Sequence, residues 1–288
     1  MLFQKVAIVG VGLIGGSLGA ALRSRKLAAE VHGIGYRTTT LEQAKRRGCI
    51  DDFTIDLGEG VRNAELVVIA TPVSLIEKKA RETAENISPN CIVTDVGSTK
   101  KIITERLDAV FSGKARFVGS HPMAGSEKRG AVNAAADLFE GALCILTRTP
   151  NTDENALKAV EEMWREVGAA TTVMTPGEHD RRVALASHLP HVVAASLVNI
   201  ENDSSLECAA TGFADATRIA ASDPKLWCGI CLDNAEEILA GIDSLSEELD
   251  SIRTLIKKGD ERGLFEKLRR ASDRRRAWEQ ERTRQNPE

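Results

Sequence analysis

Lys5-Val-Ala-Ile-Val9 runs without a break into Gly10-Val-Gly-Leu-Ile-Gly15, and then into an Ala- and Leu-rich stretch over 17–26. The first run is apolar and largely β-branched, as expected of a parallel strand buried on both faces. Glycines follow at its end, and the third stretch has the composition of a helix. Strand, G-x-G-x-x-G turn and helix, in that order, make the plan of a dinucleotide site. Gly10 admits the tight turn, Gly12 lets a pyrophosphate approach the backbone, and Gly15 lets helix and strand pack closely. Leu13 and Ile14, inside the glycine turn, complete this set of expected cofactor contacts. A plain glycine-rich turn between strand and helix is the bland alternative, and the flanking elements argue against it.

The pattern repeats downstream. Val31-His-Gly-Ile34, Leu66-Val-Val-Ile-Ala70, Cys91-Ile-Val-Thr-Asp95, Arg116-Phe-Val-Gly119, Ala142-Leu-Cys-Ile-Leu146 and Thr171-Thr-Val-Met174 all have strand composition. Helical patterns fill 41–47, 75–86, 100–110 and 155–167. Such alternation predicts an α/β fold of the Rossmann type, a doubly wound parallel sheet over 1–175. Thr71-Pro72, after the strand at 66–70, is expected at the cofactor. Thr175-Pro-Gly-Glu178 reads as the domain boundary. Beyond it strand signals vanish, and helical stretches over 179–202, 208–221, 225–253 and 260–281 predict an all-helical second domain, 176–288. Helical domains of this kind commonly bury their apolar faces against a second copy, so a homodimer through this domain is expected.

An acidic residue at the tip of the second strand would bond the adenosine ribose and favour NAD. Here the tip reads Gly35-Tyr-Arg-Thr-Thr-Thr40. With no carboxylate present, Tyr36, Arg37 and Thr38 are candidate cofactor contacts. A 2′-phosphate could rest on Arg37 and the hydroxyls of Thr38 and Thr39, so the cofactor reading is NAD(P), leaning to NADP.

The chain has 288 residues, 42% hydrophobic and 28% charged, and a net charge of −4. These values are ordinary for a globular protein and supply no general reason to bind nucleic acid. No apolar run is long enough to span a bilayer, and the N-terminus lacks a signal-peptide pattern. The expectation is a cytoplasmic protein with no membrane partner. Cys228-Gly-Ile-Cys231 has no second C-x-x-C and no histidine after it, so helix packing is favoured over zinc or redox chemistry, and no metal is expected. The arginine-rich end, from Arg269 to Arg284, is interleaved with acids and reads as a solvated helix.

Four of the five histidines fall in two short stretches, at His121 and from His179 to His191. Oxidising an alcohol requires a base for the hydroxyl proton as the hydride leaves. Many two-domain dehydrogenases place a lysine on the first long helix of the second domain, but no lysine occurs between Lys158 and Lys225. Histidine is the remaining candidate. His121 follows a strand at its carboxyl end, where ligands bind in such sheets. Ser98 also follows a strand end. His188 and His191 are three residues apart, on one helix face, with Pro190 between them to disturb the helix. His179 lies near the start of the same helix, and Arg218 is a lone cation in an Ala-rich stretch, suited to a substrate carboxylate.

These motifs together resemble the prephenate/arogenate (cyclohexadienyl) dehydrogenases. The resemblance covers almost the whole chain. It rests on the N-terminal glycine turn, Asp95-Val-Gly-Ser-Thr-Lys100, Gly119-Ser-His-Pro-Met-Ala-Gly125 with Glu127, His179-Asp180, Ser187-His-Leu-Pro-His191 and Thr217-Arg-Ile-Ala-x-Ser-Asp-Pro224. It implies oxidative decarboxylation of a cyclohexadienol, prephenate or arogenate, with hydride passing to NAD(P)+. It further implies His121 as the group that accepts the ring-hydroxyl proton and Ser98 as its hydrogen-bonding neighbour. Arg218, His188, His191 and His179 would then contact the substrate. Lys128 and Arg129 beside the His121 loop would favour the more anionic prephenate. The alternatives are another NAD(P)-dependent dehydrogenase, acting on a 3-hydroxy acid or an imine, and a non-catalytic dinucleotide sensor.

Overall fold

The computed structural model describes residues 1–125, 128 and 130–285. Glu127 and Arg129, part of the motif around His121, lie outside the described residues. The chain forms two compact units, Met1–Ala235 and Glu236–Glu288.

The first unit is built on a sheet of eight strands: β1 (Phe3–Val9), β2 (Ala28–Ile34), β3 (Asp52–Thr54), β4 (Leu66–Ile69), β5 (Ile92–Asp95), β6 (Arg116–Pro122), β7 (Leu143–Thr147) and β8 (Ala170–Met174). Their spatial order is β3-β2-β1-β4-β5-β6-β7-β8. Strands β1 to β6 are parallel, so the order reverses between β1 and β4 and opens a crevice at their carboxyl ends. The last two strands run the other way: β7 is antiparallel to β6, and β8 is parallel to β7. Between β6 and β7 the described residues carry only a short helical turn, Ala131–Asn133, which is no crossover helix.

Six helices lie on the two faces: α1 (Leu13–Ser24), α2 (Thr38–Arg46), α3 (Leu57–Val61), α4 (Val73–Ala84), α5 (Lys101–Phe111) and α6 (Glu154–Glu166). The unbroken apolar runs are explained by this double cover. Val6 and Ile8 of β1 and Leu66 and Val68 of β4 pack into one core, with Leu18, Leu22 and Trp164. Ala7, Val9, Val67 and Ile69 point the opposite way into a second core, with Ile76 and Leu107.

Helices take over after β8. Thr175 caps α7 (Pro176–Val183) by accepting from the Glu178 N–H, with Pro176 in the first turn. A π-helical turn, Ala184–His188, joins α7 to α8 (Leu189–Asn199). Then come α9 (Asp203–Leu206), α10 (Thr211–Thr217), a 3-10 turn (Arg218–Ala221) and α11 (Pro224–Asp233), which Asp223 caps. The helix expected over 225–253 is broken at Asn234, whose φ of −113° and ψ of 35° leave the helical region. The second unit holds most of α12 (Ala235–Lys258) and all of α13 (Glu261–Gln285), and Gly259, at φ +64°, ends α12. Among the described residues, no helix is long and apolar enough to cross a membrane.

Candidate active site

A cavity of about 600 Å³ opens at the carboxyl ends of β1, β4, β5 and β6. Gly12, Leu13, Ile14, Thr71 and Pro72 line it from the nucleotide side, and Ser98 and His121 from the next two strand ends. His188, His191 and Arg218 line it from the helices that follow β8. Residues far apart in the chain thus meet around one space inside the first unit.

The glycine turn has the shape a dinucleotide requires. Gly10 has φ +102°, and a side chain there would strike the Ala70 carbonyl at 2.6 Å. A Cβ on Gly15 would lie 2.2 Å from the Gly10 carbonyl, so this glycine serves helix–strand packing. At Gly12 a Cβ would meet nothing within 4 Å, which leaves the backbone open to a ligand. No side chain caps α1 and its first turn holds no acid, so its leading N–H groups face outward unclaimed by a side chain. Thr71 adds a buried hydroxyl without a hydrogen-bond partner. These features fit a bound pyrophosphate and its flanking sugar. Tyr36, Arg37 and Thr38 stand apart from the cavity, exposed at the tip of β2, with the Arg37 guanidinium 5.1 Å from the centre of the Tyr36 ring.

His121 is held inside β6, opposite Ile145 of β7, and the strand runs three residues further than the Arg116–Gly119 run suggests. Its Nδ1 lies 2.8 Å from His179 Nε2, and His179 Nδ1 lies 2.7 Å from Asp180 Oδ1. The Asp180 carboxylate also accepts from the backbone N–H groups of Lys100, at 2.7 Å, and Lys101, at 2.9 Å, at the start of α5. An ionised carboxylate only accepts, so His179 Nδ1 carries its proton and His179 Nε2 accepts. His121 must then donate from Nδ1, and its Nε2 keeps a lone pair. Burial pushes the His121 pKa well below its ordinary value, helped by His179, Lys100 and His188. Burial alone would raise the Asp180 pKa, but its bonds to His179 and the two backbone N–H groups hold it below the ordinary value. The site therefore presents a neutral imidazole, oriented by a carboxylate, with an accepting nitrogen.

Sequence reading placed His179 among the substrate contacts. The structure places His179 behind His121, fully buried and outside the residues that line the cavity, with its two ring nitrogens engaged by His121 and Asp180.

A buried polar network supports the same strand ends. Lys100 Nζ lies 2.6 Å from Asp95 Oδ2, both side chains having no exposed surface. Asp95 Oδ2 also accepts from the Gly97 N–H, fixing the turn that carries Ser98. Ser120, beside His121, donates to the Asp95 carbonyl and accepts from Trp164 Nε1. Asp95 and Lys100 were visible only as parts of a motif; their burial as a pair has no signal in spacing.

On the opposite wall, the disturbance expected at Pro190 takes the form of the π-turn. There Leu189 N–H reaches back to the Ala184 carbonyl, five residues away, and Pro190, which has no N–H, follows directly. His191 stacks on Trp227 with ring centres 3.4 Å apart, and His188 meets the edge of the same indole at 6.0 Å. Burial lowers both imidazoles to a pKa of about 4. Trp227 and Asn234 were missed in the sequence. Trp227 carried one available signal, an aromatic side chain next to the Arg218 motif in a chain with three tryptophans. Among the described residues, no group of three or more His, Cys, Asp or Glu could hold a metal ion. Cys228 and Cys231 are free thiols.

Two family models match successive parts of the chain. The family model "Prephenate dehydrogenase, nucleotide-binding domain" matches residues 18–173, and "Prephenate dehydrogenase, dimerization domain" matches 175–270. The prephenate dehydrogenase of Bacillus subtilis (strain 168) is 38% identical over 279 residues, 94% of this chain and 75% of that protein. The crystal structure of prephenate dehydrogenase from A. aeolicus in complex with hydroxyphenyl propionate and NAD+ superposes with a TM-score of 0.89 at 33% identity, covering 95% of this chain and 98% of that one. Synechocystis arogenate dehydrogenase gives a TM-score of 0.83 at 31% identity, covering 96% and 100%.

Proposed function

The chain belongs to the prephenate dehydrogenase family, and from that premise we propose how its cavity performs the oxidative decarboxylation of prephenate, arogenate or both. When bound, a nicotinamide dinucleotide supplies the hydride acceptor. The backbone at Gly12, Leu13 and Ile14 holds the pyrophosphate, and Thr71 and Pro72 border the adjoining part of the cofactor. His121 accepts the ring-hydroxyl proton at Nε2 as hydride leaves the carbon that bears the hydroxyl. Ser98 bonds the same hydroxyl and keeps it facing His121. The bond between ring and carboxylate then breaks, its electron pair enters the ring, and carbon dioxide departs. The proton held on His121 returns to the phenolic oxygen, and the aromatic product makes the step irreversible.

Arg218 pairs with a substrate carboxylate, and His188 and His191 line the pocket around the side chain. His179 and Asp180 act through His121, as positioning residues. The single observation that carries this reading is the run Asp180–His179–His121, which ends in the cavity wall as a neutral acceptor.

Finer choices follow from charge. Prephenate carries a keto side chain and arogenate an amino one, so prephenate has the larger net negative charge. Lys128 borders the cavity and supports prephenate as the preferred substrate. The carboxylate-free tip of β2, with Arg37 and Thr38 exposed, supports NADP over NAD. The match to a dimerization domain supports a homodimer through residues 176–288, with the division at 175 as the functional boundary. A cytoplasmic location accords with this biosynthetic role.

Purified protein should be offered prephenate and arogenate, each with NAD+ and with NADP+, while reduced nicotinamide and carbon dioxide are followed together. Equal amounts of the two products from at least one pairing are expected. Absence of turnover in every pairing would overturn the reading.

A further inference from the structure

Asn234 sits in the break between α11 and α12 and is 3% exposed. Its Nδ2 lies 2.9 Å from the Asp180 backbone carbonyl and 3.1 Å from His188 Nδ1. A carbonyl oxygen only accepts, so the atom facing it is the amide nitrogen, and this contact fixes which way the amide points. The second N–H of that nitrogen then faces His188 Nδ1, which must offer a lone pair. In a neutral imidazole the remaining proton lies on Nε2. His188 Nε2 is buried and makes no hydrogen bond of full geometry within the protein, the Ser98 carbonyl acting on the ring only as a weak acceptor, and His188 lines the cavity. A buried N–H without a full hydrogen bond is costly unless something that enters the cavity accepts from it.

We propose that Asn234 is a positioning residue that holds His188 in the Nε2–H tautomer, so that His188 donates a hydrogen bond to a substrate oxygen across the cavity from His121, which accepts one. This deepens the reading of His188 as a substrate contact and rests on it. The two imidazoles are set to opposite polarity by their neighbours: a carboxylate acts through His179 on one, and an amide donor acts on the other. Other groups around His188 fit this assignment. Asp180 and His179 approach from α7, His191 from α8, and the Ser98 carbonyl from the β5 end; their combined effect with burial leaves the ring neutral.

The test reads the tautomer directly. Long-range 1H–15N correlation on full-length protein labelled at histidine, with His188 assigned by its loss in His188→Gln, should find Nδ1 bare and Nε2 protonated at neutral pH. This requires no change at Asn234, so a folding defect cannot obscure it. Asn234→Leu should give a mixture of tautomers, and KM should rise about tenfold with a much smaller change in kcat. Asn234→Asp should instead protonate both nitrogens. An Nδ1–H tautomer or an imidazolium in the parent protein would overturn the proposal. So would an Asn234→Leu variant whose His188 signals and KM match the parent. Failure of turnover with both substrates would overturn the proposed reaction and leave the tautomer result standing.

Discussion

His121 Nδ1 stands 2.8 Å from His179 Nε2, and through that contact a buried carboxylate decides which nitrogen of His121 is free to react. His121→Asn should lower kcat/KM by about 10²–10⁴-fold, the usual worth of a positioned base, while cofactor affinity stays near the parent value. His179→Leu should cost at least tenfold in kcat, because His121 would lose the acceptor that fixes its tautomer. His179→Gln, which can still accept, should recover part of it. Steady-state kinetics with cofactor binding measured alongside would check all three.

Asp180→Asn probes the far end of the same run. The amide has one accepting oxygen where the carboxylate serves His179, the Lys100 N–H and the Lys101 N–H. At least one of these buried donors is left unsatisfied, at about 1–3 kcal/mol. Thermal melting should show that loss, and kcat should fall by about 100-fold in the surviving folded protein.

Stability should depend on pH through His188. Its folded pKa of about 4 lies below the ordinary 6.5, so between those values the unfolded chain binds the extra proton. Stability is therefore fully present above 6.5 and is lost as pH falls through the folded pKa. The loss attributable to His188 is on the order of 3 kcal/mol. Urea titrations at neutral pH and near pH 4 should differ by that much less in His188→Gln than in the parent.

The glycines of the first turn should separate by role. Gly15→Ala forces a Cβ to 2.2 Å from the Gly10 carbonyl and should destabilise the fold by about 1–3 kcal/mol. Gly12→Ala meets no neighbour within 4 Å, so stability should change little, but the methyl occupies the proposed pyrophosphate position. Cofactor Kd should rise by about tenfold or more, or about 1.4 kcal/mol. Melting curves with and without cofactor distinguish the two effects.

Lys128 supplies a test of substrate choice. Lys128→Gln should raise KM for prephenate several-fold, with a smaller effect on arogenate, whose amino group already offsets one negative charge. Equal effects on both substrates would remove Lys128 from the specificity-determining groups.

Much of this was legible in residue order. The apolar β-branched runs and the glycine turn announced the sheet and its cofactor crevice because they act locally: a strand covered on both faces needs no polar alternation, and a tight phosphate turn admits no side chain. Sequence also singled out Ser98, His121, His188, His191 and Arg218, whose positions at strand ends and beside a proline mark a ligand cavity. It could not separate His179 from them. That distinction depends on which atom lies behind which, and His121 and His179 are 58 residues apart. Asn234 read as part of a continuous helix, and the reversal of β7 and β8 left no trace in composition.

The chain's order alone thus determined a dinucleotide-binding sheet, a helical sequel and a set of proton-carrying side chains. Tertiary structure alone decided their polarity. A histidine's tautomer is set by whatever donor or acceptor faces its other nitrogen, and here those partners, Asp180 through His179 for one ring and Asn234 for the other, come together only when distant segments pack.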